Sequence, residues 1–372
     1  ICGLCELECN YKTLGGSIRR RLLKRFLSDH YTDYLKEKEP LPVTKDKEKV
    51  AIIGGGPAGL MCAYILSKKG YKPTIFESSD RLGGALWFIP DYRFLKEILK
   101  TTIDSLLRIA SIDVKYNVKV GTDELPIKKL KDDGYEAIFY AGGTPFPRLL
   151  TFERGMVENQ DLSGVLYGLT FLDDVVKGKV SRNQFKNKKV IVIGGGNVAF
   201  DVARTARRLG GEVTVVALEC EDKTSKDGIP ADEDEIVGAT EEGIEIIYSR
   251  GVREIRGENG KFKGINSPRC ISVFDEKGFN PKFDCSDCID LTGDILLITI
   301  GQGADRAFPD KEGLLDEKGR IAVNPITLQS LKDDSVFIGG DVRRIGFMVD
   351  AMKEGMEAAE SIHRKLRGVD MM

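Results

Sequence analysis

Two glycine-rich segments about 140 residues apart constrain the fold of this 372-residue chain more than any other feature. The order strand, tight turn, helix, turn and strand is indicated by KVAIIGGGPAGLMCAYILSKKGYKPTIFE and again by NKKVIVIGGGNVAFDVARTARRLGGEVTVVALE. In both segments an apolar run leads into Gly-x-Gly-x-x-Gly or Gly-x-Gly-x-x-Ala, which is the arrangement of a dinucleotide-binding βαβ unit. The repeat therefore predicts an α/β fold with two Rossmann-like dinucleotide-binding domains.

In the first unit the glycines and a later acid have separate roles. Gly54 makes the tight turn, Gly56 lets a pyrophosphate approach the backbone, and Gly59 permits close packing of helix and strand. Glu77 lies 23 residues after Gly54, where a carboxylate can accept hydrogen bonds from an adenosine ribose. Because the strand, the helix and the acid all accompany the motif, this segment predicts a bound dinucleotide.

The second unit carries Gly194, Gly196 and Ala199 in its loop, and its second strand ends near Glu219. Alanine at the third position still allows the helix to pack closely on the strand. Two such units imply either two bound dinucleotides, or one dinucleotide and one vestigial fold. The residues of the loop leave both alternatives open.

Further short motifs follow the glycine loops in a fixed order, with GGALWFIP at residues 83–90, then AGGTP, TIGQ and GGD. Together with GGGPAGL and GGGNVAFD, this order resembles the small subunit of glutamate synthase and its relatives. These are flavoproteins of the pyridine nucleotide-disulfide oxidoreductase superfamily that lack the redox disulfide. The resemblance implies a discontinuous flavin domain of residues 45–146 and 294–372, an inserted nicotinamide domain of residues 147–293, and a small N-terminal helical iron-sulfur segment of residues 1–44.

The resemblance also assigns residues to FAD. It implies that the adenosine diphosphate part of FAD is held by Gly54, Gly56, Ala58, Gly59 and Glu77. The other positions that it implies are Gly84 near the isoalloxazine, Val120 at the adenine through its backbone, Ala141 and Gly142 beside the pyrophosphate, and Gly340 with Asp341 near the ribityl chain or the pyrophosphate.

The residues after the second strand of the second unit bear on the choice between NADH and NADPH. A carboxylate can bind the ribose 2′-hydroxyl, whereas a 2′-phosphate requires arginine or lysine. The NADPH-using members of the resembling family typically have Tyr-Arg-Arg at this point, but this chain has Ala217, Leu218 and Glu219, followed by Glu221 and Asp222. The sequence therefore favours NAD(H) through Glu219, with an empty site in a solvated acidic loop as the alternative.

Three cysteines, Cys2, Cys5 and Cys9, lie within the first nine residues. This spacing lets thiolates converge on one small object, and iron-sulfur clusters are commonly held by four cysteines at short intervals. In the resembling family the N-terminal helical domain binds [4Fe-4S] clusters, although its cysteine spacing is wider and its first cysteine corresponds to a position upstream of Ile1. We therefore expect a [4Fe-4S] site with a further ligand upstream, and a zinc site on the same thiols is the alternative.

The segment SIRRRLLKRF places Ile18, Leu22 and Phe26 at helical spacing among basic residues. It predicts an amphipathic helix whose basic face is solvated or contacts a partner subunit. A nucleic-acid site is disfavoured because no extended basic or aromatic-rich surface accompanies the segment. The chain as a whole has 56 basic and 58 acidic residues, which gives a formal charge of −2.

Composition disfavours several other classes of protein. No stretch approaches the roughly 18 consecutive apolar residues of a membrane-spanning helix, and no export signal is apparent, so we expect no membrane insertion and a cytoplasmic location. Eight cysteines in such a chain favour reduced thiols or metal ligands over structural disulfides. The only two histidines, His30 and His363, lie in polar helical surroundings, so a Ser-His-Asp hydrolase is poorly supported.

A second C-x-x-C, formed by Cys285 and Cys288, raises the alternative of a free-standing disulfide reductase. In thioredoxin reductases the dithiol precedes the second glycine loop, whereas this pair follows that loop by about 90 residues. The neighbouring Asp284, Asp287 and Asp290 disfavour a thiolate. We therefore interpret this pair as solvated cysteines in a turn.

These patterns, together with the resemblance, predict an FAD-dependent NADH oxidoreductase or electron-transfer subunit. It would pass electrons between NAD(H), FAD and [4Fe-4S] clusters, to or from a larger oxidoreductase subunit or a ferredoxin-like carrier. The alternative is a flavin-containing relay or scaffold with no functional nicotinamide site. We expect no catalytic acid or base, because in such enzymes the cofactors carry the reactivity.

Overall fold

The computed structural model describes residues 4–44, 48–153 and 155–371. The α-helices of these residues are α1 (Leu4–Leu7), α2 (Arg20–Glu37), α3 (Pro57–Lys68), α4 (Lys96–Ile109), α5 (Ile127–Asp132), α6 (Gly168–Val176), α7 (Arg182–Phe185), α8 (Asn197–Arg208), α9 (Glu233–Glu241), α10 (Ala307–Lys311) and α11 (Met348–Leu366). The strands are β1 (Lys49–Ile53), β2 (Thr74–Phe76), β3 (Asp113–Lys115), β4 (Tyr135–Tyr140), β5 (Phe146–Pro147), β6 (Thr151–Phe152), β7 (Gly155–Met156), β8 (Val165–Tyr167), β9 (Lys189–Ile193), β10 (Glu212–Val216), β11 (Glu245–Ile247), β12 (Glu254–Glu258), β13 (Lys261–Asp275), β14 (Gly278–Thr292), β15 (Ile295–Ile298), β16 (Gln302–Gly303) and β17 (Val336–Ile338). Short 3₁₀ helices cover Asn10–Leu14 and Gly84–Phe88.

The described residues divide into two compact units. The first unit comprises Ile1–Leu86, Leu95–Pro145 and Ala304–Met372, and the second comprises Trp87–Phe94 and Phe146–Gly303. The expected α/β fold with two parallel-sheet dinucleotide-binding units is confirmed.

The boundaries differ from those expected in two places. The expected nicotinamide domain ended at residue 293, but β15 follows that residue and pairs in parallel with β8 and β9 of the second unit. The second unit therefore continues to Gly303. In addition, Trp87–Phe94 groups with the second unit, although the expected flavin domain included it. Its side chains pack on α8 and α9, as described below.

The first unit is built on a parallel sheet with the strand order β17-β4-β1-β2-β3. Its central strands are almost continuously apolar and buried, as expected for a parallel sheet that is covered on both faces. Helices α3 and α11 pack closely on each other at Gly355, where the absence of a side chain is required because a Cβ would overlap the backbone carbonyl of Ala58. The sheet and these two helices hold the glycine loop that follows β1.

The second unit has its own parallel sheet, with the order β11-β10-β9-β15-β8. Helix α8 buries one face against this sheet through residues such as Phe200 and Val202, which are fully buried. A separate antiparallel sheet, β12-β13-β14, contains two strands of 15 residues each. No pattern in the sequence had predicted this antiparallel sheet.

The N-terminal residues form a short helical segment that ends in α2, the expected amphipathic helix. Ser17 Oγ donates to the carbonyl oxygen of Glu6 at 2.7 Å, and the backbone N–H of Arg21 donates to Glu6 Oε1 at 2.6 Å. These bonds join α1 to the start of α2, which continues along α4 of the first unit. Within residues 4–44, 48–153 and 155–371, no helix is both long enough and apolar enough to cross a bilayer.

Candidate functional sites in the two units

The residues expected to hold FAD lie where parallel strands of the first unit end. Gly54 follows β1, Glu77 follows β2, Ala141 and Gly142 follow β4, and the Gly340-Asp341 pair comes two residues after β17. The carboxyl ends of parallel strands share one edge of the sheet. The strand order reverses at β1, whose neighbours are β2 and β4, and ligands of such sheets bind in the crevice at this reversal.

The loop after β1 is tightly packed at two of its glycines and open at the third. Gly54 has a φ of +101°, and a Cβ there would overlap the carbonyl oxygen of Ala141. A Cβ at Gly59 would overlap the carbonyl oxygen of Gly54. At Gly56, by contrast, a Cβ would meet nothing within 4 Å, and this residue caps the N-terminus of α3. The backbone is therefore accessible at the place where a helix N-terminus favours an anionic group.

Glu77 is buried and is attached to this loop. Its Oε2 accepts the backbone N–H of Gly55 at 2.8 Å, and its Oε1 accepts both the N–H and the hydroxyl of Ser79 at 2.8 Å. Ser78 Oγ also lies 3.5 Å from Oε1, so Oε1 is fully engaged, whereas Oε2 accepts only the Gly55 N–H and keeps one lone pair for a further donor. The carboxylate is thus held in place by the protein and can still accept a ribose hydroxyl.

Two further glycine turns approach the same loop. A Cβ at Gly84 would lie 3.0 Å from Cα of Gly56, and a Cβ at Gly340 would lie 3.0 Å from Cβ of Ala58. The structure therefore brings the turn of GGALWFIP and the turn of GGD to the loop after β1. Val120 is buried in the core of the first unit, a few residues after Val118, whose N–H donates to the carbonyl of Glu77 at 2.9 Å.

The GGD turn depends on an acid that sequence reasoning missed. Glu354, on α11, is buried, and its Oε2 accepts the backbone N–H of Gly340 at 2.7 Å. The guanidinium of Arg343 pairs with its Oε1. Asp341 is half-buried, and desolvation raises the pKa of its carboxyl group. The available signal was that Glu354 shares a helical face with Ala351 and Ala358, where an apolar residue would be expected.

The loop after β9 repeats this arrangement in the second unit. Gly194 has a φ of +133°, and a Cβ there would lie 2.6 Å from the carbonyl oxygen of Thr299, which follows β15. Gly196 caps α8 and has open space beside it, as Gly56 does. Ala199 is fully buried, which fits its expected role in helix packing. The second loop therefore also offers an accessible backbone at a helix N-terminus.

Glu219 occupies the place in the second unit that corresponds to Glu77. A Cβ at Gly195 would overlap Glu219 Oε2, so the carboxylate lies directly beside the loop. Within the described part of the chain, this Oε2 is buried and has no hydrogen-bond partner. Burial raises the pKa of the Glu219 carboxyl group. Because a buried polar atom without a partner is costly, this oxygen is suited to a ligand that brings a hydroxyl donor.

Two basic residues close to Glu219 in the fold are engaged elsewhere. The backbone N–H of Arg250 donates to Ala217, but the Arg250 guanidinium contacts Asp287 Oδ1 at 3.0 Å and the Asp287 carbonyl oxygen at 2.9 Å. Lys223 directs its ammonium group to the carbonyl oxygen of Ala231. Neither cation is therefore freely available to balance a phosphate on the ribose.

Sequence reasoning also missed a network of buried charges in the second unit. Arg93, in the Trp87–Phe94 segment, pairs with Asp201 Oδ1 of α8 at 2.7 Å and with Glu235 Oε1 of α9 at 3.1 Å. Burial raises the pKa of Asp201 to about 6, although Arg93 opposes the shift. Tyr92 lies under the guanidinium of Arg208, 3.8 Å from its carbon to the ring centroid. No sequence signal connects residues that are 108 positions apart.

The thiols proposed as metal ligands are only partly described. Cys2 lies outside the described residues, Cys5 is half-buried and Cys9 is buried. The backbone N–H of Ile18 donates to Cys9 Sγ at 3.5 Å, and this bond lowers the pKa of the thiol. In residues 4–44, 48–153 and 155–371, no three His, Cys, Asp or Glu side chains are grouped to hold a metal ion.

The sequence suggested that Cys285 and Cys288 lie in a turn, and this prediction was wrong. Both lie within β14, where the register against β13 shifts between Pro268 and Arg269. Cys288 Sγ donates to the carbonyl oxygen of Cys285 at 3.3 Å. The pair therefore belongs to an irregularity inside a long strand. The sequence suggested a turn because the acids and cysteines here do not alternate with apolar residues as in a regular strand.

Comparison with known proteins agrees with this architecture. The model of the family described as pyridine nucleotide-disulphide oxidoreductase matches residues 48–355. The chain is 32% identical to the NADP(+)-dependent formate dehydrogenase subunit beta of Moorella thermoacetica, covering 98% of this chain and 53% of that subunit. It is 30% identical to the glutamate synthase (NADPH) small chain of Escherichia coli K12, covering 96% of this chain and 77% of that protein. The chain thus spans about half the length of the first relative.

Among solved structures, FprA from Mycobacterium tuberculosis in complex with NADPH matches with a TM-score of 0.69, covering 86% of this chain and 85% of that chain. The two sequences are 17% identical, so this likeness shows the fold alone. The family model covers most of the chain, and the E. coli glutamate synthase small chain is similar over most of both sequences. The expected resemblance is therefore confirmed, and the chain belongs to the pyridine nucleotide-disulphide oxidoreductase family.

Proposed function

We propose that this chain is an FAD-dependent NADH oxidoreductase that acts as the electron-transfer subunit of a larger enzyme. The observation that carries the proposal is Glu219, whose buried Oε2 lacks a partner among the described residues beside an open glycine loop. Membership of the family implies FAD and a nicotinamide nucleotide, and both relatives named above are subunits or chains of larger enzymes.

The residues of the first unit fit FAD. Gly56 leaves room for a pyrophosphate beside the N-terminus of α3, and Glu77 retains capacity for a ribose hydroxyl. Gly84, Ala141, Gly142, Gly340 and Asp341, with Val120 at the adenine, complete the proposed set. When bound, FAD supplies the ability to accept a hydride and to pass the electrons on one at a time. The protein itself contributes binding, orientation and exclusion of water.

The second unit fits NADH better than NADPH. In the proposed site Gly194, Gly196 and Ala199 shape the loop, and Glu219 accepts a hydroxyl of the adenosine ribose. A 2′-phosphate in the same place would meet a buried carboxylate, while Arg250 and Lys223 are engaged by other groups. The names of both relatives include NADP(H), so the proposed preference would set this chain apart from them.

We also propose that Cys2, Cys5 and Cys9 contribute to a [4Fe-4S] cluster. Cys5 lies in α1 and Cys9 directly precedes the 3₁₀ helix Asn10–Leu14, and the Ile18 N–H that donates to Cys9 Sγ would stabilise a thiolate. The electrons would then pass to or from a larger oxidoreductase subunit or a ferredoxin-like carrier, in a cytoplasmic enzyme. Zinc bound to the same thiols is the competing occupant.

Anaerobic titration of the purified flavoprotein tests the nucleotide proposal. NADH should bleach the bound FAD, and NADPH should do so only at concentrations at least tenfold higher. In the Glu219→Arg variant the dissociation constant for NADH should rise by about 10- to 100-fold, because one buried charge-assisted hydrogen bond is lost and a charge is reversed. Glu221→Arg is the matched control, since it makes the same charge change at an exposed position two residues away.

Two outcomes would contradict the proposal. Bound FAD that NADH does not bleach, with no heat of NADH binding in calorimetry, would favour a flavin-containing relay or scaffold. Preferential bleaching by NADPH would contradict the role given to Glu219. Loss of NADH-driven reduction of a disulfide substrate in Cys285→Ser would instead indicate a disulfide reductase.

A further inference from the structure

Residues 10–27 form a surface that is both apolar and strongly basic, and we call it the N-terminal basic surface. This stretch carries six cations and no acid, although the whole chain has a net charge of −2, and one of the six, Arg25, is paired with Asp29 just beyond the stretch. The cations are Lys12, Arg19, Arg20, Arg21, Lys24 and Arg25. A local charge of this size on a nearly neutral protein attracts an oppositely charged partner.

The apolar side chains of this surface are exposed to an unusual degree. Leu22, Leu23, Phe26 and Leu27 of α2 are 54%, 59%, 61% and 65% exposed, respectively. Tyr11 and Leu14, in the preceding 3₁₀ helix, are also exposed. Large apolar side chains that are clustered and exposed in this way mark interaction surfaces, because single exposed residues are common but contiguous patches are not.

Helical geometry arranges the two kinds of side chain into separate stripes. Leu22 with Phe26, and Leu23 with Leu27, are four residues apart, so they form two adjacent apolar rows. Arg20 with Lys24, and Arg21 with Arg25, form two basic rows on the remaining face. The apolar and basic rows therefore meet along the border between Leu27 and Arg20, where one partner can contact Leu23, Leu27, Arg20 and Lys24 together.

The thiol segment is attached to this surface. The N–H of Ile18 donates to Cys9 Sγ, the N–H of Arg21 donates to Glu6 Oε1, and Ser17 donates to the Glu6 carbonyl. The residues proposed to hold a cluster therefore join the start of α2 through direct hydrogen bonds. A protein that covers α2 would lie next to that segment.

We propose that the N-terminal basic surface docks an acidic one-electron carrier protein. The carrier would place carboxylates around Arg20 and Lys24 and an apolar patch against Leu23 and Leu27, whereas Arg25 is paired with Asp29 at 2.7 Å. The inference rests on the proposed function. Each NADH that is oxidised to NAD⁺ releases one proton and two electrons, so two oxidised carriers are reduced per NADH.

An anionic membrane is the other surface that a basic amphipathic helix can bind. In α2 the four exposed apolar residues occupy only two helical turns, so the area available for insertion into a bilayer is small. A lipid surface would also offer no electron acceptor beside Cys5 and Cys9. The charge pattern and the adjoining thiols therefore favour a protein partner.

The test uses two small redox proteins as probes, acidic rubredoxin and basic cytochrome c. Calorimetry in 50 mM salt should detect rubredoxin binding to the complete flavoprotein that weakens steeply as salt is raised, because counter-ions screen the cations. In the variant Arg19→Gln, Arg20→Gln, Lys24→Gln, the dissociation constant should rise at least tenfold. The control variant Lys128→Gln, Lys277→Gln, Lys318→Gln removes the same charge from other exposed positions and should change it less than twofold.

The kinetic measurement is made on the same proteins. Reduction of rubredoxin by NADH should slow in the α2 variant, while bleaching of the bound FAD by NADH stays unchanged. If NADH fails to bleach the bound FAD even in the wild type, the proposed function is contradicted. The docking surface is still tested in that case, because the calorimetry of rubredoxin binding does not require NADH. The proposal is overturned if the α2 variant binds rubredoxin as the wild type does, if cytochrome c binds equally well, or if the surface binds phosphatidylserine vesicles and not rubredoxin. It is also overturned if the variant dissociates a dimer, since the surface would then cover a second copy.

Discussion

The backbone N–H of Gly55 donates a 2.8 Å hydrogen bond to Oε2 of Glu77, which ties the acid at the end of β2 to the glycine loop after β1. In the second unit the corresponding acid, Glu219, lies beside Gly195, but its Oε2 has no hydrogen-bond partner in the described part of the chain. The two units thus share a backbone arrangement, but the protein supplies a hydrogen-bond donor to Oε2 of the acid only in the first unit. Glu77 therefore combines a structural role with one open acceptor position, whereas Oε2 of Glu219 is left wholly for a ligand.

Glu77→Ala should damage both folding and the proposed FAD site. The change removes the acceptor for the N–H groups of Gly55 and Ser79, and leaving such donors unpaired costs about 1–3 kcal/mol. We expect a lower midpoint of thermal unfolding and loss of most of the flavin on gel filtration. Asp80→Ala, at an exposed position three residues away, should change neither quantity. Full flavin retention in Glu77→Ala would contradict the role given to this acid.

Gly56→Val and Gly196→Val should separate the two nucleotide sites. Both glycines have open space beside them, so the new side chains should fit the protein and obstruct only a ligand. We expect Gly56→Val to fold but to lose FAD, and Gly196→Val to keep FAD while its dissociation constant for NADH rises at least tenfold. Flavin absorbance and NADH titration measure these effects. Loss of FAD from the Gly196 variant would argue against separate sites.

Glu354→Ala should weaken binding at the proposed FAD site through its effect on the GGD turn. Glu354 holds the N–H of Gly340 and the guanidinium of Arg343, so its removal should loosen the GGD turn. We expect a flavin dissociation constant about tenfold higher and a shifted flavin absorbance band. Glu354→Gln retains an acceptor for Gly340 and should recover most of the affinity. Equal defects in the two variants would point to the ion pair with Arg343 instead.

Asp201 should make the stability of the protein depend on pH between about 4 and 6. Burial raises its pKa in the folded state to about 6, compared with about 3.9 in an unfolded chain. The folded state therefore holds this proton more tightly, and the resulting stabilisation is present below pH 4 and is lost as pH rises through 6. Relative to the wild type, Asp201→Asn should gain stability as the pH is raised across this window. Urea unfolding at pH 4.5 and 7.5 measures the difference, and an equal difference at both pH values would contradict the assignment.

Iron and acid-labile sulfide should be present in the purified protein if Cys5 and Cys9 are cluster ligands. Cys9→Ala should lower both contents and bleach visible absorbance outside the flavin bands, while FAD remains bound. Cys62→Ala is the control, because Cys62 is fully buried in α3 of the first unit. Zinc without sulfide would indicate the alternative metal, and an unchanged iron content in Cys9→Ala would remove this residue from the site.

The glycine loops were predictable because their residue types determine the backbone locally. Gly54 and Gly194 adopt positive φ beside a neighbouring carbonyl group, which a residue with a side chain could not do there without strain. The acids that follow β2 and β10 were predictable from spacing alone. A family resemblance also placed the turns at Gly84 and Gly340, which the structure brings to the first loop.

Other features depend on contacts that leave no local pattern. The pairing of Arg93 with Asp201 joins residues 108 positions apart, and each is an ordinary charged residue in sequence. The sequence could not indicate which sheet contains β15, because the apolar run of this strand would fit either parallel sheet. Strand β14 was mistaken for a turn because Asp284 and Cys285 interrupt the alternation that marks a strand.

The grouping of Trp87–Phe94 with the second unit affects how this protein can be divided. A gene fragment that encodes only Phe146–Gly303 would contain every strand of the second unit, but it would omit Arg93. Asp201 would then lose the cation that it contacts at 2.7 Å, while Glu235 would keep its contact with the guanidinium of Arg204 at 3.1 Å. The fragment would also lose the contact of Tyr92 with the guanidinium of Arg208 and expose the apolar surface on which Phe88 packs, so its free energy of unfolding should be lower. The second unit is therefore not a transferable cassette, and recombination that exchanges it between relatives must carry the eight-residue segment as well.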